Sequence, residues 1–164
     1  MSRFWANTLG AIVAVVALGA SATPAQAAFT LNFDSFASGD AVPNGYGGFD
    51  WNNFFIIDKN DLPDSGYNRG TVSDNNTAFN ADGAPASLSS ASLFTFTSTY
   101  LTAAWNTGLS IQVDGIVAGV TVYTQTVTVD TTGPTLFTFN YANIDTLLFT
   151  SFVPPDEEIG RAHV

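Results

Sequence analysis

Tyr46, Trp51 and Asn53 sit in the densest run of rings, amides and carboxylates in the chain, Pro43-Asn44-Gly45-Tyr46-Gly47-Gly48-Phe49-Asp50-Trp51-Asn52-Asn53-Phe54. Glycines on both sides of Tyr46 let the backbone turn sharply, so Tyr46 and Trp51 can show flat faces while the neighbouring Asn and Asp side chains supply hydrogen bonds. A sugar ring has an apolar C–H face and a polar hydroxyl edge, and an aromatic face flanked by amides matches both. Tyr67 and Trp105 complete the set of candidate ligand-binding rings. The competing reading makes Phe49, Trp51, Phe54 and Phe55 caps on the end of a core. Ligand contact requires at least one of Tyr46, Trp51, Tyr67 and Trp105 to be exposed.

Oxygen donors form a second set. Calcium takes carboxylates, amides and backbone carbonyls, and Asp58, Asn60, Asp61, Asp64, Asn68, Asp74, Asn75, Asn76, Asn80 and Asp82 crowd one stretch. Their spacing fails the EF-hand pattern. In the loop starting at Asp58, Leu62 occupies the third ligand position, Pro63 replaces the required Gly, and Arg69 replaces the closing Glu. The run from Asp74 fails similarly, which leaves solvated Asx-rich turns as the simpler reading. Catalysis finds little to work with: the one histidine, His163, lies in the tail, and no Glu precedes Glu157 to stand out as half of a carboxylate pair. A non-catalytic protein is expected. Asn75-Asn76-Thr77 fits a glycosylation sequon, which matters only in a eukaryotic host.

The elements that must carry these residues read as strands. From Phe29 onward apolar residues recur at every second position between Gly, Asn, Asp, Ser and Pro clusters, the mark of half-buried strands joined by turns. Leu31/Phe33, Phe94/Phe96, Ile111/Val113, Val120/Val122, Val127/Val129, Phe137/Phe139 and Leu147/Phe149 are the clearest pairs. Threonine fills many intervening positions, as β-branched residues do on pleated surfaces. No stretch after residue 28 keeps a helical period; Leu101 to Trp105 fits either a turn of helix or a strand. About eight to ten short strands in one domain predict an all-β fold, an antiparallel two-sheet sandwich of the jelly-roll kind, with a closed barrel as the alternative. Asp114-Gly115, Ala118-Gly119 and Thr132-Gly133-Pro134 read as turns that cut the second half into a meander. Residues 40–92 read as long loops over a sandwich edge, where binding is usually built.

The ends read differently. Residues 1–27 fit a helical secretory signal peptide, with Arg3 as the positive region, Leu9 to Ala20 apolar, and Ala25-Gln26-Ala27 as the cleavage site before Ala28. The alternative, a membrane anchor, needs about 20 apolar residues and the run is far shorter. Residues 28–153 are then the β-sandwich domain and 154–164 a tail. Its last seven residues, 158–164, match the translation of a common sequencing-library adapter, so they are expected to be read-through. The expected location is secreted or extracytoplasmic, at the cell surface or in extracellular matrix, with no membrane span in the mature chain.

Charge narrows the partners. The chain has 164 residues, 46% hydrophobic and 11% charged, and a formal net charge of -10. Residues 28–157 alone hold thirteen carboxylates against Lys59 and Arg69. Such a surface repels phosphate backbones, so no nucleic acid is expected as a partner; a polysaccharide or glycan is. Disorder is disfavoured by the apolar content, and without cysteine neither disulfides nor thiolate metal sites arise.

Two blocks carry a family likeness. Gly45-Tyr46-Gly47-Gly48-Phe49-Asp50-Trp51-Asn52-Asn53-Phe54 and Tyr100-Leu101-Thr102-Ala103-Ala104-Trp105-Asn106-Thr107-Gly108-Leu109 resemble secreted bacterial proteins of the PEP-CTERM exported type, with similar sequences in fungal secretomes. Asn143-Ile144-Asp145-Thr146-Leu147-Leu148-Phe149 is similar to the last strand of galactose-binding-like jelly rolls. The resemblance implies an extracytoplasmic β-sandwich, a carbohydrate-associated module of envelope or matrix. In such folds the first and last strands lie side by side, which implies Asp34 beside Asp145 and, since like charges that close disfavour each other, a structural calcium ion between them. The chain departs from the family after Phe152, where Val153-Pro154-Pro155-Asp156 lacks the Val-Pro-Glu-Pro signal, apolar anchor and basic end.

Overall fold

The computed structural model describes residues 29–152; the expected signal peptide at 1–27 and the tail with its adapter-like end at 158–164 lie outside the described residues. Seven strands run β1 Asp50–Asn52, β2 Phe54–Asp58, β3 Asn76–Asn80, β4 Ala86–Leu101, β5 Leu109–Val117, β6 Val120–Val129 and β7 Thr135–Phe152. One short helix, α1 Gly66–Gly70, and 3-10 turns at Tyr46–Gly48 and Ala81–Gly83 interrupt them. Every ladder is antiparallel. Five strands make one sheet in the order β1-β4-β7-β5-β6, and β2-β3 make a second. The protein is an all-β, two-sheet, sandwich-like domain.

Among the described residues there are fewer strands than the eight to ten expected, because β4 and β7 span 16 and 18 residues and each serves twice. Their shared ladder loses register between Ser89 and Phe94, between Phe94 and Phe96, and between Phe96 and Ser98. Opposite the last two shifts, Asn143 (φ 56) and Asn140 (φ 54) take the left-handed conformation in β7. An extra residue of this kind bends a strand and raises its twist, and Asn tolerates the geometry better than other side-chain-bearing residues. Beyond the bends, the β4-β7 ribbon crosses over β5 and β6: Tyr141 stacks on Tyr123 with ring centres 4.8 Å apart, and its hydroxyl donates to the Val113 carbonyl at 3.1 Å.

The core lies between these layers and is built from Leu88, Phe94, Ile111, Val113, Val127, Val129, Phe139, Tyr141, Ile144 and Leu147, with Phe49 and Ala103. Val113, Ile144 and Leu147 have no exposure at all. Burying each such side chain contributes about 1.5–3 kcal/mol. The pairs Ile111/Val113 and Val127/Val129 are buried as expected, whereas Val120 and Val122 lie in β6 at 64% and 49% exposure. Those two valines occupy the outer strand of the large sheet, which pairs with β5 alone among the described residues.

Three local expectations are corrected. Asp114-Gly115 is not a turn; both residues lie inside β5, and the hairpin falls at Ala118-Gly119, whose φ values of 49 and 79 suit the tight turn between twisted strands. Leu31 and Phe33 join no strand. Residues 40–92 are more ordered than loops: β2 and β3 pair over their whole length, from Phe54↔Asn80 to Asp58↔Asn76.

Candidate functional site

The run from Pro43 to Phe54 folds inward. Tyr46 packs edge-on against Phe36 at 4.8 Å, and Trp51 packs edge-on against Phe33 at 5.8 Å and Phe54 at 5.3 Å. Their polar atoms are used as well. The Trp51 ring N–H donates to the Tyr46 carbonyl at 2.9 Å, the Trp51 backbone N–H donates to Asn44 Oδ1 at 2.7 Å, and the Tyr46 hydroxyl donates to the Asn32 carbonyl. Burial, aided by the charge of Asp34, raises the Tyr46 phenol above its ordinary pKa. Both rings are half-buried, so they match the core-capping reading more closely than that of free platforms.

Asn53 is also a structural pin. It holds a left-handed backbone (φ 58) between β1 and β2, and its amide Nδ2 donates to the carbonyls of Ala81, Ala84 and Pro85 at 3.2–3.3 Å. That clamps the turn ahead of β4 to the start of the second sheet.

Trp105 is different: it is 61% exposed, the most open ring among the candidates. It sits in the loop between β4 and β5, and the two residues before it anchor the loop. Ala103 N–H donates to the Asp130 carbonyl at 2.9 Å, and the Ala104 carbonyl accepts from Gly66 N–H at 2.8 Å. That second contact explains Gly66, because a Cβ there would lie 1.8 Å from the Ala103 carbonyl oxygen. Only glycine lets α1 dock so closely on the Trp105 loop.

The other side of the site comes from the turn before α1. Ser65 is buried and caps the helix, its Oγ accepting from Tyr67 N–H at 3.2 Å and donating to the Leu62 carbonyl at 2.6 Å. Leu62, Pro63, Asp64, Ser65 and Trp105 line an open groove of about 180 Å³. Tyr67 supports it from beneath, edge-on to Trp105 at 5.9 Å and 86° and against Phe79 at 5.4 Å. Burial raises the Tyr67 phenol above its ordinary pKa, so it stays neutral. The structure thus brings Tyr67 and Trp105 together and leaves Tyr46, Trp51 and Asn53 in a separate cluster. Leu62 and Pro63 were missed from sequence. Their one local signal was Ser65 before Gly66-Tyr67, a helix cap whose five-residue helix is too short to show a period.

Asp34 and Asp145 are not neighbours in a ladder, because the segment around Asp34 is no strand and β7 pairs with β4 and β5. Each carboxylate has donors of its own. Asp34 Oδ1 accepts from the N–H groups of Asn75 and Asn76, both at 3.2 Å; Asp145 accepts from Ala118 N–H at 2.6 Å and the Thr146 hydroxyl at 2.9 Å. Partial burial pushes the Asp34 carboxyl up, but donors from Asn76, Ser73, Asn75 and Asp74 outweigh it and leave the group below its ordinary value. Among the described residues no three acidic or histidine side chains gather in a metal-holding group, and no helix is long and apolar enough to cross a membrane. Comparison with protein-family models, curated proteins and solved structures gives no match.

Proposed function

We propose that the protein is an exported, non-catalytic glycan-binding module that holds a sugar ring against Trp105, in the groove walled by Leu62, Pro63 and Asp64. The exposed indole carries this reading. Its face offers an apolar platform for C–H groups, the Asp64 carboxylate offers an acceptor for ring hydroxyls, and the edge of Tyr67 fixes the indole so that little side-chain freedom is lost on binding. The acidic surface favours a neutral or cationic polysaccharide of envelope or matrix over an anionic one. The leader-like residues 1–27 and the likeness to PEP-CTERM-type exported proteins support export.

A second reading, a structural surface or matrix protein with no defined small ligand, is favoured by the internal use of Tyr46 and Trp51, which leaves Trp105 as the one exposed ring of the four candidates. Binding to a panel of insoluble and soluble polysaccharides separates the two. Wild-type protein is expected to bind at least one, and Trp105→Ala to weaken that binding by about tenfold or more with the fold intact. Retention of full affinity by Trp105→Ala, or no binding to any member of the panel, would reject the glycan reading.

A further inference from the structure

The two edges of the large sheet are managed in opposite ways. At one edge β1 is three residues long, carries Asp50 and Asn52 and covers only Ser87–Ser89 of β4, whose ladder with β7 then loses register three times before Ser98, so this edge offers no long regular template for pairing. At the other edge β6 is ten residues long and pairs only with β5 among the described residues. From Gly115 to Val129 the chain has no charge and no proline. An exposed strand of this length leaves a row of backbone N–H and C=O groups whose partner is either water or another strand, and the usual guards against pairing, lysine, proline and inward charges, are missing. One irregularity does exist: the ladder with β5 shifts register between Gly115↔Tyr123 and Ile116↔Thr121, which makes Val122 the extra residue.

That bulge sets the register of what can pair. Between it and the end of the strand, Tyr123 to Val129 run regularly, and the midpoint of that stretch is Thr126. In an antiparallel pair of identical strands related by a two-fold axis through Thr126, Thr124 faces Thr128, Gln125 faces Val127 and Tyr123 faces Val129. Thr124 and Thr128 share one face of the sheet with Asp114 and Ser110, their ladder partners in β5. Threonine would thus meet threonine on the outer face and Tyr123 would meet Val129 on the inner one, both favourable cross-strand combinations, while Gln125 lies opposite Val127. No charge opposes another within the ladder.

We infer that β6 is a self-association edge, through which two copies of this chain join antiparallel about Thr126 into one continuous ten-stranded sheet. The pairing satisfies the orphan backbone row with the regular stretch Tyr123 to Val129 of a second copy, and the two-fold closes it, so the interface is isologous and does not propagate into fibres. Each copy carries a net charge of -10, so repulsion between the bodies opposes the contact and added salt strengthens it.

Sedimentation or light scattering of the purified protein from micromolar to millimolar concentration tests this. The wild type is expected to form a dimer that tightens as salt rises, and Thr126→Lys, an exposed position where the side chain leaves the core untouched, to be monomeric with the melting temperature that the wild type shows when diluted to monomer. The chain has no cysteine, so Thr126→Cys gives a second readout. Mild oxidation is expected to link Thr126→Cys copies readily and to leave Thr138→Cys, exposed on the β4-β7 ribbon, unlinked. A monomeric wild type at every concentration, a dimer that survives Thr126→Lys, or equal linking at both positions would overturn the inference. A wild type that stays monomeric but takes an extended peptide along β6 would assign the edge to another partner and equally overturn it.

Discussion

Asn53 joins two separable contributions in one residue. Its backbone needs a left-handed conformation, which costs most side-chain-bearing residues roughly 1–2 kcal/mol, and its amide supplies the donors for three carbonyls. Replacing it with Gly keeps the first and removes the second; replacing it with Ala loses both. In urea unfolding, Asn53→Gly is therefore expected to cost about 1 kcal/mol and Asn53→Ala about 2–3 kcal/mol. Equal losses would mean that the amide carries the whole effect. Its role as a pin was not legible in sequence, because an Asn beside rings looks the same whether its amide faces a ligand or its own backbone. Trp105 shows the converse: ring type was readable, exposure was not.

At the level of elements, β5 shows how alternation and close packing interact. Gly115 lies in the strand interior, where glycine normally weakens a strand. Here a Cβ would stand 2.9 Å from Tyr141 Cδ2 and 3.1 Å from both Ile144 Cγ2 and Tyr123 Cδ2. The missing side chain is what lets Tyr123 and Tyr141 stack across the layers. Gly115→Ala is expected to lower stability by about 1–3 kcal/mol through overpacking, and the near-ultraviolet tyrosine dichroism should change with it. A neutral substitution would show that the rings have room to spare. Asp114-Gly115 resembles a hairpin signal for the same local reason that it serves here, since a glycine after an aspartate is read as a turn unless the rings above it are known.

The whole molecule is acidic, and its acid limit follows from carboxylates that hold turns together. Asp34 accepts N–H bonds at the entry to β3. Asp130 accepts the Thr132 hydroxyl and backbone N–H at the β6-β7 turn, and those two donors lower its carboxyl below the ordinary value. For a group whose folded pKa lies below its unfolded value of about 3.9, the stabilisation is complete above that value and disappears as pH falls through the folded one. The melting temperature is expected to hold steady from neutral pH to about 5 and to drop below about 4. Asp34→Asn should flatten part of that drop; an unchanged acid profile would remove Asp34 from the account. By itself the sequence determined the all-β class, the antiparallel pairing and the buried Ile111/Val113 and Val127/Val129 pairs, because period-two alternation is a local property that directly reports which face is covered. Only tertiary structure decided that Trp105 stays open while Tyr46 and Trp51 turn inward, that β4 and β7 bend to serve both layers, and that Asp34 and Asp145 serve different turns. Exposure and neighbourhood depend on which distant segment arrives to cover a residue, and that information is absent from the few positions on either side of it.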